Sequence, residues 1–145
     1  MIREVIFVNR SKSEETFGLK NWAVISITDP DDQPAKLMDG WMAVHRLSFQ
    51  DLDPTSSSEK KLRTRVLMTK DQAREIAAFV ASVADDVEGI LVHCQGGISR
   101  SAAVSKWIAE EYRLDFNHSY QLYNKYVYRL LVEAGQCRKE RHEPQ

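Results

Sequence analysis

The chain has 145 residues, of which 43% are hydrophobic and 28% charged, with a formal net charge of −1 at pH 7. Those proportions belong to a soluble globular chain and exclude a disordered or membrane one. The near-neutral charge excludes a general attraction to nucleic acid or anionic membranes, so neither partner is expected and any anion must be held by a local site.

In chain order, Val5 to Val8 reads as a short strand. A second strand, Trp22 to Ile27, ends at the breaker Thr28-Asp29-Pro30-Asp31-Asp32. A third, Trp41 to Phe49, ends at Gln50-Asp51-Leu52-Asp53-Pro54, and the polar stretch Thr55 to Lys61 reads as a loop. Thr69 opens a helix with Gln72 three residues on, in capping-box fashion. Ala73, Ile76, Ala77, Val80 and Ala84 then recur along one helical face. Gly89 breaks the chain, and the apolar Ile90-Leu91-Val92 suits a central strand covered on both faces. A helix is expected from about Ser99 to Tyr112, and another after Asn117 with Tyr123, Tyr126, Val127, Leu130, Leu131 and Ala134 on one stripe. The charged tail from Gly135 to Gln145 is expected to fray.

Strands followed by helices imply a single α/β domain with a mainly parallel central sheet flanked by helices. In such sheets ligands bind beyond the carboxyl ends of the strands. No run approaches a membrane span of about eighteen apolar residues, and Met1 to Glu4 lack the apolar core of a secretory signal. A cytoplasmic residence is therefore expected. The two cysteines, Cys94 and Cys137, make no disulfide framework, and the scattered histidines and cysteines offer no zinc-ligand spacing. No metal and no cofactor are expected.

The strand Ile90 to Val92 leads into His93-Cys94-Gln95-Gly96-Gly97-Ile98-Ser99-Arg100-Ser101. A strand thus ends at a cysteine, and a glycine-containing loop opens a helix. Unsatisfied N–H groups and the helix dipole make such a terminus an anion site. Gly96 and Gly97 allow the positive φ that curls N–H groups inward as a nest. The same field stabilises a thiolate, the nucleophilic form of cysteine. Arg100, six residues after Cys94, can return its guanidinium fork over the cavity to meet two phosphoryl oxygens.

This segment resembles the Cys-x5-Arg signature of the cysteine-dependent protein tyrosine phosphatase superfamily, in the longer form His-Cys-x-x-Gly-x-Ser-Arg-Ser. The chain looks most like the dual-specificity branch, and residues 1–134 would be the catalytic domain. The resemblance implies the cysteine-phosphatase fold and a phosphocysteine intermediate on Cys94. It also implies that Arg100 and the backbone of Gln95, Gly96, Gly97, Ile98 and Ser99 hold the phosphoryl oxygens. Ser101 would steady the thiolate, and His93 would tune the cysteine through hydrogen bonds.

The family's general acid is an aspartate on the loop before the helix that precedes the cysteine strand. Asp51 and Asp53 both lie there, and Asp51 fits the strand-then-aspartate pattern better. Asp29, Asp31 and Asp32 also follow a strand, but one loop too early. The expected activity is hydrolysis of phosphomonoesters, with a phosphorylated protein or peptide as partner: phosphotyrosine, and phosphoserine or phosphothreonine if the pocket is shallow. Two alternatives stand beside it: a phosphatase for a phosphoinositide or an RNA 5′-phosphate, and an inactive phosphate-binding module. Gln95 and Ile98 stand where a loop built for polyanionic substrates carries lysines. Cys137 is a candidate resolving thiol for an oxidised Cys94.

Overall fold

Each apolar run read as a strand forms one. In the computed structural model, which describes residues 1–54 and 66–142, the order is β1 (Glu4–Asn9), α1 (Arg10–Glu15), β2 (Trp22–Thr28), β3 (Ala43–Ser48), α2 (Lys70–Val83), β4 (Gly89–Cys94), α3 (Arg100–Tyr112) and α4 (Lys125–His142). The expected loop Thr55 to Lys61 lies outside the described residues.

The four strands pair in parallel in the order β1-β4-β2-β3. β4 is buried along its whole length, and its apolar run Ile90 to Val92 suits a strand covered on both faces. Alternation along the strands then sorts the side chains. Ile25, Ile27, Ile90, Val92 and Cys94 join Ile76, Val80, Val104, Ile108 and Leu131 of the helices in one core. Val24 and Leu91, also buried, lie outside that cluster and face the other side of the sheet. Cys94 therefore points to the helix side, and its neighbour His93 to the opposite side.

The helix beginning at Thr69 carries a complete capping box. Gln72 N–H donates to Thr69 Oγ1 and Thr69 N–H to Gln72 Oε1, both at 3.0 Å. The same glutamine donates through Nε2 to Ser48 O at 2.9 Å, which anchors α2 to the end of β3.

One helix and both ends of another differ from the sequence expectation by more than a residue or two. Helix α1, six residues long, is too short to show a periodicity; Asn9 caps it by accepting from Lys12 N–H at 2.7 Å. α4 begins at Lys125 rather than after Asn117, because Asn117 spends its side chain on a turn, accepting from Ser119 N–H at 3.1 Å. Asn124 opens the helix instead, accepting from Val127 N–H at 3.0 Å. The segment from Gly135, expected to fray, continues α4 to His142. Gly135 fits beneath the Trp107 indole, where a Cβ would stand 3.2 Å from Nε1, and Lys139 pairs with Glu111 of α3 at 3.1 Å. Among the described residues no helix is long and apolar enough to cross a membrane.

Candidate active site

β4 delivers Cys94 to the carboxyl edge of the sheet, and residues 95–99 turn the chain directly into α3. The turn needs Gly97: its φ is +65°, and a Cβ there would collide with the backbone of Val8 and Asn9 on the neighbouring strand. Ser99 occupies the N-cap position of α3 but makes no capping hydrogen bond with its side chain. The first N–H groups of this 13-residue helix thus have no side-chain cap to accept from them, beside the cysteine.

Cys94 is 2% exposed, and its Sγ lies 3.1 Å from Ser101 Oγ. Burial pushes the thiol up. The Ser101 hydroxyl, the N–H groups of Ser101 and Gly97, and the positive charge of Arg100 outweigh it, and the net shift is downward. The thiolate is the form these groups favour. A thiolate at this distance would accept from the Ser101 hydroxyl.

One consequence is measurable. Ser101→Ala removes a bond to the charged form, so the Cys94 pKa should rise and the midpoint of iodoacetate alkylation should move to higher pH. Turnover should fall about 10- to 100-fold, the worth of a hydrogen bond to an ionised group. An unmoved alkylation midpoint would remove Ser101 from the thiolate's environment. The sign for stability follows from the same shift. A folded-state pKa below the unfolded one contributes stability that is present above the unfolded pKa and lost as pH falls through the folded value.

His93 is fully buried and does not touch the sulfur. Its ring has one backbone and one side-chain partner: Nδ1 lies 3.3 Å from Cys94 O, and Nε2 lies 2.6 Å from Ser26 Oγ on β2. Only a protonated Nδ1 can bond a carbonyl, so Nε2 accepts from the serine hydroxyl. Burial lowers the pKa of this imidazole, consistent with the neutral ring. One of its hydrogen bonds reaches the cysteine's backbone carbonyl, and the other ties the ring to β2.

Arg100 is 4% exposed. Its Nη1 donates to Phe49 O at 2.6 Å and to Asp29 Oδ1 at 2.8 Å, while its buried Nε has no partner. A guanidinium carries five N–H donors in a planar fork. The Nε–Nη2 edge thus keeps at least one unanswered donor, on the side where a tetrahedral oxyanion would be gripped in two places.

Asp51 reaches the loop from the end of β3. Its Oδ1 accepts from Ser99 Oγ at 2.8 Å and from Asn124 Nδ2 at 2.9 Å. Asp53 lies two residues further along the same segment, half-buried. Within the loop Gln95, Gly96 and Ile98 are exposed, Gly97 and Ser99 half-buried, and Arg100 and Ser101 buried. The thiol of Cys137 is free and exposed, and the thiol of Cys94 is free and buried.

Sequence reasoning missed three residues at this site. Asp29, set aside as one loop too early, pairs with Arg100. Asn124, 6% exposed, ties three segments together: its N–H donates to Ser99 O at 3.1 Å, and its side chain to Asp51 and to Leu52 O. Its position before an apolar helical stripe was the available signal. Tyr120 donates to Ile98 O at 2.5 Å; burial and the nearby Cys94 charge raise its pKa. No local pattern marks it.

The described residues thus form a wholly parallel α/β sheet with a cysteine at the end of one strand and an arginine opening the next helix. The chain shares that fold with human DUSP28: the match covers 97% of this chain and 99% of that one, with a TM-score of 0.59 and 16% identity. It is likewise similar to a mouse putative dual specificity phosphatase solved with zinc tungstate, over 94% of this chain and 85% of that one, with a TM-score of 0.54 and 20% identity. No protein-family profile matches the chain, and no curated protein sequence matches it.

Proposed function

We propose that the protein hydrolyses phosphomonoesters through a phosphocysteine intermediate on Cys94, with phosphotyrosine in proteins as the substrate class. The observation that carries this reading is the juxtaposition at α3. A thiol lowered toward its thiolate shares the helix N-terminus with a buried arginine whose Nε lacks a partner. The fold neighbours are dual specificity phosphatases by description, and one was solved with tungstate, a tetrahedral oxyanion like phosphate.

In the proposed reaction the phosphoryl oxygens bind the loop N–H groups and the Arg100 fork. Cys94 Sγ attacks phosphorus, and the S–P bond forms as the bond to the leaving oxygen breaks. Asp51 gives its proton to that oxygen. Water then attacks the phosphocysteine, Asp51 takes the water's proton, and the thiolate leaves with a hydrogen bond from Ser101. Inorganic phosphate is released. The charge spread over the equatorial oxygens is met by donors already in place. Gln95 and Ile98 in the loop, and a net charge of −1, support a substrate with a single phosphoryl group.

The assignment of Asp51 is tested by leaving-group dependence. Asp51→Asn should lose about 10²- to 10⁴-fold in kcat on phenyl phosphate, the usual worth of a positioned acid. The loss should be much smaller on p-nitrophenyl phosphate, whose leaving group is a far weaker base. Equal losses on both substrates would remove Asp51 from proton transfer, and the same differential appearing in Asp53→Asn would assign the role there.

A further inference from the structure

We infer that Asp29 is a positioning residue, holding the Arg100 guanidinium so that its Nε–Nη2 edge faces the oxyanion. The inference rests on the phosphatase reading and deepens it at a residue outside the signature loop.

The sheet itself sets the geometry. β2 and β3 are parallel neighbours with Thr28 opposite Ser48, so the next residues, Asp29 and Phe49, leave the two strand ends side by side. Phe49 N–H donates back to Thr28 O at 3.2 Å, which fixes that relation. The strand ends then offer one carboxylate and one carbonyl to a single nitrogen. Nη1 carries two N–H groups, and its two bonds to Phe49 O and Asp29 Oδ1 use both. The fork is held at one tip, and the Nε–Nη2 edge remains for the ligand.

Electrostatics requires such a partner. The Arg100 side chain is 5% exposed, and a buried cation without a counter-charge is strongly disfavoured. Asp29, 40% exposed on its side chain, supplies the charge from the solvent side, and among the described residues no other carboxylate forms an ion pair with Arg100. A carboxylate bound across Nε and Nη2 would compete with phosphate. Bound at Nη1, Asp29 stays in place while phosphate enters.

The experiment compares wild type, Asp29→Ala and Asp29→Asn by p-nitrophenyl phosphate kinetics, inhibition by inorganic phosphate, and phosphate protection of Cys94 from iodoacetate. Asp29→Ala should weaken phosphate about 10-fold by inhibition and by protection, and raise KM in step, as expected when a hydrogen bond to a charged group is lost. Asp29→Asn keeps the acceptor oxygen without the charge and should recover part of that affinity, lying between Asp29→Ala and wild type. A lowered melting temperature with phosphate affinity unmoved would overturn the inference, leaving only a structural role. Tighter phosphate in Asp29→Ala would overturn it in favour of competition. If wild type fails to turn over p-nitrophenyl phosphate, the enzyme reading falls, while the protection assay still reports on Asp29.

Discussion

Cys94→Ser is expected to abolish hydrolysis of p-nitrophenyl phosphate, with a loss of at least about 10⁴-fold, the scale seen when a covalent nucleophile is removed. The reason lies in the acidity of the group. Donors from Ser101, Gly97 and Arg100 bring the thiol toward its anion, and a serine hydroxyl is too weak an acid for the same donors to ionise it. The exchange replaces one small buried atom by another, so the loop and the phosphate site should persist. Phosphate should still bind the variant, with affinity within about threefold of wild type by calorimetry, because the helix terminus and Arg100 are unchanged. Wild type quenched in acid during turnover should carry one phosphoryl group on Cys94 by peptide mass, and the variant none. Residual turnover in the variant would place the nucleophile elsewhere. An inert wild type that binds phosphate would make the protein a phosphate-binding module.

Arg100→Ala should cost about 10³- to 10⁵-fold in kcat/KM, the range for an arginine that stabilises a transferring phosphoryl group. Arg100→Lys should recover little of it. Lysine restores the charge as a point and lacks the planar fork that takes two oxygens while a third contact anchors its tip. Arg100→Ala also leaves Phe49 O without its donor, in a residue with no exposed surface. Stability should fall by about 1–3 kcal/mol for that orphaned acceptor, a shift of about 2–12 °C in Tm at this chain length. Kinetics at a temperature well below both transitions separate the two effects. A lysine variant with near wild-type kcat/KM would show that charge alone suffices and remove the two-point grip from the mechanism.

The two variants draw on different kinds of information in the chain. Cys94, Gly97, Arg100 and Ser101 lie within eight consecutive residues, so their geometry follows from local rules: a strand, a positive-φ glycine, a helix terminus. The same holds for the Thr69–Gln72 cap and for the apolar run in β4, which suits a strand covered on both faces. Asp51 was legible as a candidate because it follows a strand at the sheet edge that carries Cys94. Its bonds to Ser99 and Asn124 were not, since they join residues 48 and 73 positions apart.

By itself, then, the sequence determined the α/β class, the place of the loop between β4 and α3 and the residues inside it, because periodicity, backbone freedom and helix polarity act over a few residues. Only the tertiary structure decided which groups surround that loop. The strand order β1-β4-β2-β3 puts β2 between β4 and β3, and so brings Asp29, Phe49 and Asp51 to one edge from two separate turns. Packing of α4 against α2 and α3 carries Asn124 to the same place. These contacts depend on the order in which parallel strands line up, and no local periodicity encodes that order. The arginine's partner was invisible for the same reason: Asp29 lies 71 residues from Arg100 along the chain and 2.8 Å from it in space.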